Sequence, residues 1–88
     1  MDERVRTPLE LGRAIRDARE AAGLTQGELC AKAFVSRRWL VRVEQGHDTA
    51  ELGKVIDVLR ALGLDFALVP RPHVKEPTLA EVLGEDWA

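Results

Sequence analysis

Two helix start signals stand very close together in this chain, at Thr25 and Ser36. Thr25 is followed by Gln-Gly-Glu, so its hydroxyl and the Glu28 carboxylate can form a capping box. Ser36 is followed by Arg-Arg-Trp-Leu. Gly23 precedes the first signal and Gly46 follows the second, each suited to end a helix. Residues 23–46 therefore read as two short helices joined by a turn of about three to four residues. The first runs to about Ala33 and packs through Leu29, Cys30 and Ala33. The second runs to about Glu44 and turns Leu40 and Val43 inward.

The rest of the chain surrounds that pair. From Leu9, apolar residues recur at helical spacing at Leu11, Ile15, Ala18 and Ala22. Thr49 is the expected cap of a helix after the pair, with Leu52, Val55, Ile56, Leu59 and Leu62 forming its apolar stripe and Gly63 ending it. Residues 65–69 change period. Phe66 and Leu68 alternate with Ala67 and Val69, and Pro70 and Pro72 stop the run, as at the end of a short strand. One strand cannot satisfy its own backbone and invites pairing with another chain. The expectation is two copies pairing this strand through Phe66 and Leu68, the alternative a coil packed on the preceding helix. Residues 70–77 form a proline-rich linker. Thr78 then caps a last short helix, Leu79–Gly84, with Leu79, Val82 and Leu83 on one side and Trp87 beyond. The fold class read from this is all-α, with four to five helices and one short C-terminal strand pairing across a dimer. Residues 1–8 read as a flexible N-terminus, residues 9–69 as one domain that holds the helix pair and the dimer strand, and residues 70–88 as linker and tail.

Eighty-eight residues allow one small domain. One cysteine excludes an internal disulfide and gives no metal signature. No apolar run approaches the roughly 20 residues of a membrane span, and no signal-peptide pattern opens the chain, so a cytoplasmic, nucleoid-associated protein with no membrane partner is expected. No nucleophile stands with a placed histidine, and His47 and His73 lie in unrelated loops. No enzyme and no cofactor or metal are expected.

The net charge is −2, against the usual basic footprint of a nucleic-acid binder. Its distribution reverses that impression. Residues 13–42 carry Arg13, Arg16, Arg19, Lys32, Arg37, Arg38 and Arg42 against Asp17, Glu20 and Glu28, a net of +4. Residues 74–88 set Lys75 against Glu76, Glu81, Glu85 and Asp86, a net of −3. A basic body with an acidic tail fits a DNA-binding unit joined to a protein-contacting one. The second helix of the pair opens with Arg37 and Arg38, and arginine reads guanine through O6 and N7 in the major groove.

These pieces together resemble the XRE helix-turn-helix family, that of the lambdoid phage Cro and repressor proteins. The resemblance covers roughly residues 9–63. It is carried by Leu11-Gly-Arg-Ala-Ile-Arg-Asp-Ala-Arg19, Gly23-Leu-Thr-Gln-Gly-Glu-Leu29, Val35-Ser-Arg-Arg-Trp-Leu40 and Glu44-Gln-Gly46. It implies that Gln26 binds a DNA phosphate and braces the recognition helix, and that Arg37, Arg38 and Val41 meet base edges. Ser36, Arg42, His47 and Thr49 fall near phosphates. Arg19 and Glu44 fall on a family salt bridge. Trp39 either covers the gap between the two helices or lies against the sugar-phosphate backbone. Phe34 departs from the family's turn glycine: either the turn is reshaped or the ring is anchored on the core. Gly27 inside a helix costs about 1 kcal/mol against alanine.

Within the family, Ser36-Arg-Arg-Trp-Leu40, the Ala61-Leu-Gly-Leu64 helix end and the residue 66–70 strand look like HipB-type antitoxins. That likeness implies a homodimer on a palindromic operator that represses its own operon and binds a HipA-like serine/threonine kinase toxin. Leu79, Val82, Leu83 and Trp87 are the residues expected to meet that partner, tryptophan being enriched at binding hot spots. A stand-alone repressor with no toxin, and an adaptor that has lost DNA binding, are the other readings.

Overall fold

The computed structural model describes residues 4–71 and 77–84. Helix α1 spans Pro8–Ala21, α2 Gln26–Ala33, α3 Arg37–Glu44, α4 Leu52–Ala61 and α5 Leu79–Leu83. Most of these starts follow from local chemistry. The Thr7 hydroxyl accepts the Glu10 N–H at 3.1 Å, and Pro8, which needs no amide donor, fills the first helical position. This cap lies in the stretch expected to be loose. There too, Arg4 donates to the Pro70 carbonyl at 3.2 Å, tying the chain start to the segment after α4. At α2 the capping box is complete: Glu28 N–H donates to Thr25 Oγ1 at 3.1 Å and Thr25 N–H to Glu28 Oε1 at 2.9 Å. The Thr25 backbone N–H, helped by the Thr25 hydroxyl, holds the exposed Glu28 carboxyl below its ordinary pKa. At α3, Ser36 Oγ accepts the Trp39 N–H at 3.1 Å.

Helix α4 departs from expectation. Its cap position is Glu51, with no side-chain cap bond, and Thr49 instead lies 3.5 Å from His47 Nε2. The helix buries Val55, Val58 and Leu59, whereas Leu52, expected on the stripe, is exposed. Leu52 occupies the first position of the helix, at the end of the buried stripe rather than in it.

The core joins Ile15 of α1, Leu29, Cys30 and Ala33 of α2, Leu40 and Val43 of α3, and Val55, Val58 and Leu59 of α4. Burial pushes the Cys30 thiol pKa up, so it behaves as a small apolar side chain. Helix α1 packs on α3, and α2 packs on both α3 and α4. The first of these contacts is backbone against backbone. A Cβ on Gly12 would collide with the Val43 carbonyl oxygen and stand 2.9 Å from the Glu44 carbonyl.

No strand forms among the described residues. The segment expected to be a strand carries Phe66 and Leu68 exposed, Leu68 at 89%. The physical reason is that one chain offers it no second strand to pair with. Nor does it lie packed as a buried coil. Helix α5 has its own reciprocal cap, Glu81 N–H to Thr78 Oγ1 at 3.2 Å and Thr78 N–H to Glu81 Oε2 at 3.3 Å. Its Val82 and Leu83 face solvent. The side chain of Leu79, and Trp87 altogether, lie outside the described residues.

The turn between α2 and α3 keeps a left-handed residue although it is not glycine. Phe34 has φ 57° and ψ 43°, and its side chain is 94% exposed. The turn is neither reshaped nor anchored by the ring. A left-handed L-residue costs about 1–2 kcal/mol, and this ring regains little by packing. Phe34→Gly is therefore expected to stabilise the domain by about 1 kcal/mol, partly offset by glycine's greater unfolded-state freedom. A thermal melt should show Tm raised by several degrees, and a lowered Tm would contradict the strain.

Candidate nucleic-acid interface

The capped start of α3 presents Arg37 and Arg38 to solvent. Val41 follows one turn later, half-buried, and Arg42 stands exposed beside it. Ser36 uses its oxygen to cap α3, which leaves the hydroxyl hydrogen free to donate elsewhere. His47 is half-buried and Thr49 exposed in the loop before α4, and the His47 N–H closes the end of α3 on the Arg42 carbonyl at 3.0 Å.

Beneath α3 lies a polar lock. Arg19 Nε donates to Glu44 Oε2 at 2.8 Å and Arg19 Nη2 to Glu44 Oε1 at 3.2 Å, the bidentate geometry that suits a guanidinium and a carboxylate. Their side chains are only 11% and 5% exposed. Arg19 Nη1 also donates to the Leu24 carbonyl at 3.0 Å, so one guanidinium ties α1, the loop before α2 and the end of α3. The Glu44 hydrogen bond holds Arg19 more basic than usual, with burial opposing it. Gln26 joins the lock: its Nε2 donates to Glu44 Oε1 at 3.1 Å. Helices α1 and α2 thus fix α3 through both apolar packing and this lock.

An open groove of about 470 Å³ runs over the lock, lined by Arg16, Arg19, Thr25, Gln26, Val41, Glu44 and Gln45. Gln26 and Val41 therefore share one face. Arg16 and Gln45 join them there, although neither was singled out from the sequence. Arg16 precedes Arg19 by about one helical turn, which was the available signal. Its ion pair with Glu20, at 3.0 Å on the surface, is weak enough to exchange. Trp39 takes the packing role among its two readings. It is half-buried against the core, and Lys54 Nζ sits 5.9 Å from its ring centroid.

A short capped helix with an exposed basic start, held across a second helix by a buried lock, is the architecture of a helix-turn-helix protein. The family model for the helix-turn-helix domain matches residues 10–71. An uncharacterized HTH-type transcriptional regulator, y4mF, of Sinorhizobium fredii (strain NBRC 101917 / NGR234) is 41% identical over 69 residues, covering 78% of this chain and 91% of that protein. Among solved structures, the HipB–O4 20mer complex matches with TM-score 0.73 and 25% identity, over 78% of this chain and 97% of its own. The HipA–HipB–O2–O3 complex matches with TM-score 0.72 at the same identity and coverage. The chain belongs to the helix-turn-helix family, as an XRE/HipB-like member, and its class is that of DNA-binding transcriptional regulators. Among the described residues, no helix is long and apolar enough to cross a membrane.

Proposed function

We propose that this chain is a sequence-specific repressor and the antitoxin of a toxin–antitoxin pair, binding a palindromic operator as a homodimer and neutralising a HipA-like serine/threonine kinase toxin. The observation that carries the DNA half is the exposed Arg37–Arg38 pair at the Ser36-capped start of α3, the helix whose far end the Arg19–Glu44–Gln26 lock holds. Arg37, Arg38 and Val41 read base edges. Gln26, Ser36, Arg42, His47 and Thr49 hold phosphates and set the register. Support for the toxin half comes from the likeness to HipB, which has been solved in complex with HipA. The exposed Val82 and Leu83 on α5 support a tail that meets a partner. The exposed Phe66 and Leu68 support pairing of that segment across a twofold axis. Phe66→Asp with Leu68→Asp should leave a monomer by solution mass, and a surviving dimer would remove this pairing.

Arg37→Ala or Arg38→Ala should each cost about 1–3 kcal/mol of affinity and relax preference at one operator position per half-site. The check is a panel of single-base operator variants. If both substitutions weaken every sequence equally, the two arginines are phosphate clamps and not readers. A pull-down from the native cell tests the toxin half. A kinase recovered with the full chain, and lost when the chain is cut after Pro72, supports the antitoxin. DNA recovered without any protein partner supports a stand-alone repressor.

A further inference from the structure

Glu44 Oε1 receives two donors, Arg19 Nη2 at 3.2 Å and Gln26 Nε2 at 3.1 Å, while Oε2 receives Arg19 Nε. An ionised carboxylate only accepts hydrogen bonds. The group that Gln26 turns to it must therefore be the amide NH₂ and not the carbonyl. That NH₂ has two hydrogens. One is engaged by Glu44, and the planar amide fixes where the other points. Gln26 lines the open groove together with Arg16 and Val41.

A DNA phosphate oxygen is also only an acceptor. A free glutamine side chain would have to select one amide face, and order its rotamers, at the moment of binding. A carboxylate at a phosphate-binding face would ordinarily repel the phosphate. Here its charge is matched in a bidentate pair by Arg19, so the lock presents no net charge to the groove.

We infer that Glu44 is a positioning residue for DNA binding: through its bond to Gln26 Nε2 it orients the remaining amide hydrogen of Gln26 toward a backbone phosphate. The inference rests on the reading of this chain as a DNA binder with Gln26 at a phosphate. The contact is sequence-independent, so a mixed-sequence duplex of about 20 base pairs, roughly two helical turns, serves as the probe at low salt.

The first test uses the full chain labelled with nitrogen-15. Adding the duplex should shift one Gln26 side-chain amide proton strongly and leave the other bonded and nearly still. Two protons that move together would overturn the inference. The second test is a cycle. Gln26→Ala should weaken binding about tenfold in the natural protein, the factor of one hydrogen bond to a charged group, with the salt slope unchanged because no cation is lost. Arg19→Met with Glu44→Leu removes both charges together and should weaken binding by a similar factor. In that background Gln26→Ala should cost less than about twofold more. If it still costs the full tenfold, Glu44 does not position Gln26 and the inference fails while the DNA reading stands. If Gln26→Ala has no effect in the natural protein, Gln26 holds no phosphate and the inference fails while the DNA reading stands. If the natural protein's affinity does not fall with salt, the DNA reading itself fails and the inference with it.

Discussion

Gly12→Ala should destabilise this domain by about 3 kcal/mol or more, seen as a Tm lowered by over ten degrees or as failure to fold. Intrinsic helix propensity argues the other way, since alanine at a helical glycine gains about 1 kcal/mol. Crowding decides the sign. The added methyl would meet the Val43 carbonyl oxygen and lie 2.9 Å from the Glu44 carbonyl carbon and oxygen. These are backbone atoms at the end of α3, so no side chain can swing aside. Helix α1 would have to lift away from α3, opening the core at Ile15 and Val43 and stretching the Arg19–Glu44 bond. Gly27 supplies the control. A Cβ there has Thr25 Oγ1 at 3.9 Å as its nearest neighbour, so Gly27→Ala should be neutral or stabilising by up to about 1 kcal/mol. Paired melts of the two variants check this. A Gly12→Ala protein that melts at or above the natural protein would show that the two helices do not approach so closely.

The contrast between those two glycines marks how far the sequence can be read. Thr25, Ser36 and the glycines after α1, α3 and α4 were legible because a cap acts on residues three or four positions away. The inward faces of α2 and α3 were legible for the same reason of period. Gly12 was not, because its constraint comes from Val43 and Glu44, remote in sequence and adjacent only once the helices pack. The start of α4 was misjudged because Thr49 satisfies the composition of a cap while the loop turns its hydroxyl to His47. Phe66 and Leu68 alternate as a strand should, but a strand needs a partner, which one chain does not provide. The site divides likewise. Arg37 and Arg38 announce themselves beside their cap. The lock between Arg19 and Glu44 spans 25 positions and was readable only through the family resemblance. That Gln26 shares the same carboxylate oxygen needed coordinates.

Removing one half of that lock should be nearly as damaging as crowding Gly12. Glu44→Ala leaves the Arg19 guanidinium, 11% exposed, with the Leu24 carbonyl as its one remaining hydrogen-bond partner among the described residues. Breaking a buried pair in this way costs about 3–5 kcal/mol, because the remaining charge loses its compensation. Replacing both partners by apolar side chains is different. Arg19→Met with Glu44→Leu removes two desolvation costs along with one attraction, and should stay within about 1 kcal/mol of the natural protein. Urea unfolding of the single and double variants measures both. A single variant that loses under about 1 kcal/mol would mean a solvated, weak pair, at odds with its burial. If the expected pattern holds, the lock contributes little net stability. What it supplies is orientation: it fixes the end of α3 against α1 and gives the Gln26 amide one direction. A well-folded double variant with poor DNA affinity would separate those two roles, since packing alone can restore the fold but not the acceptor that Gln26 uses.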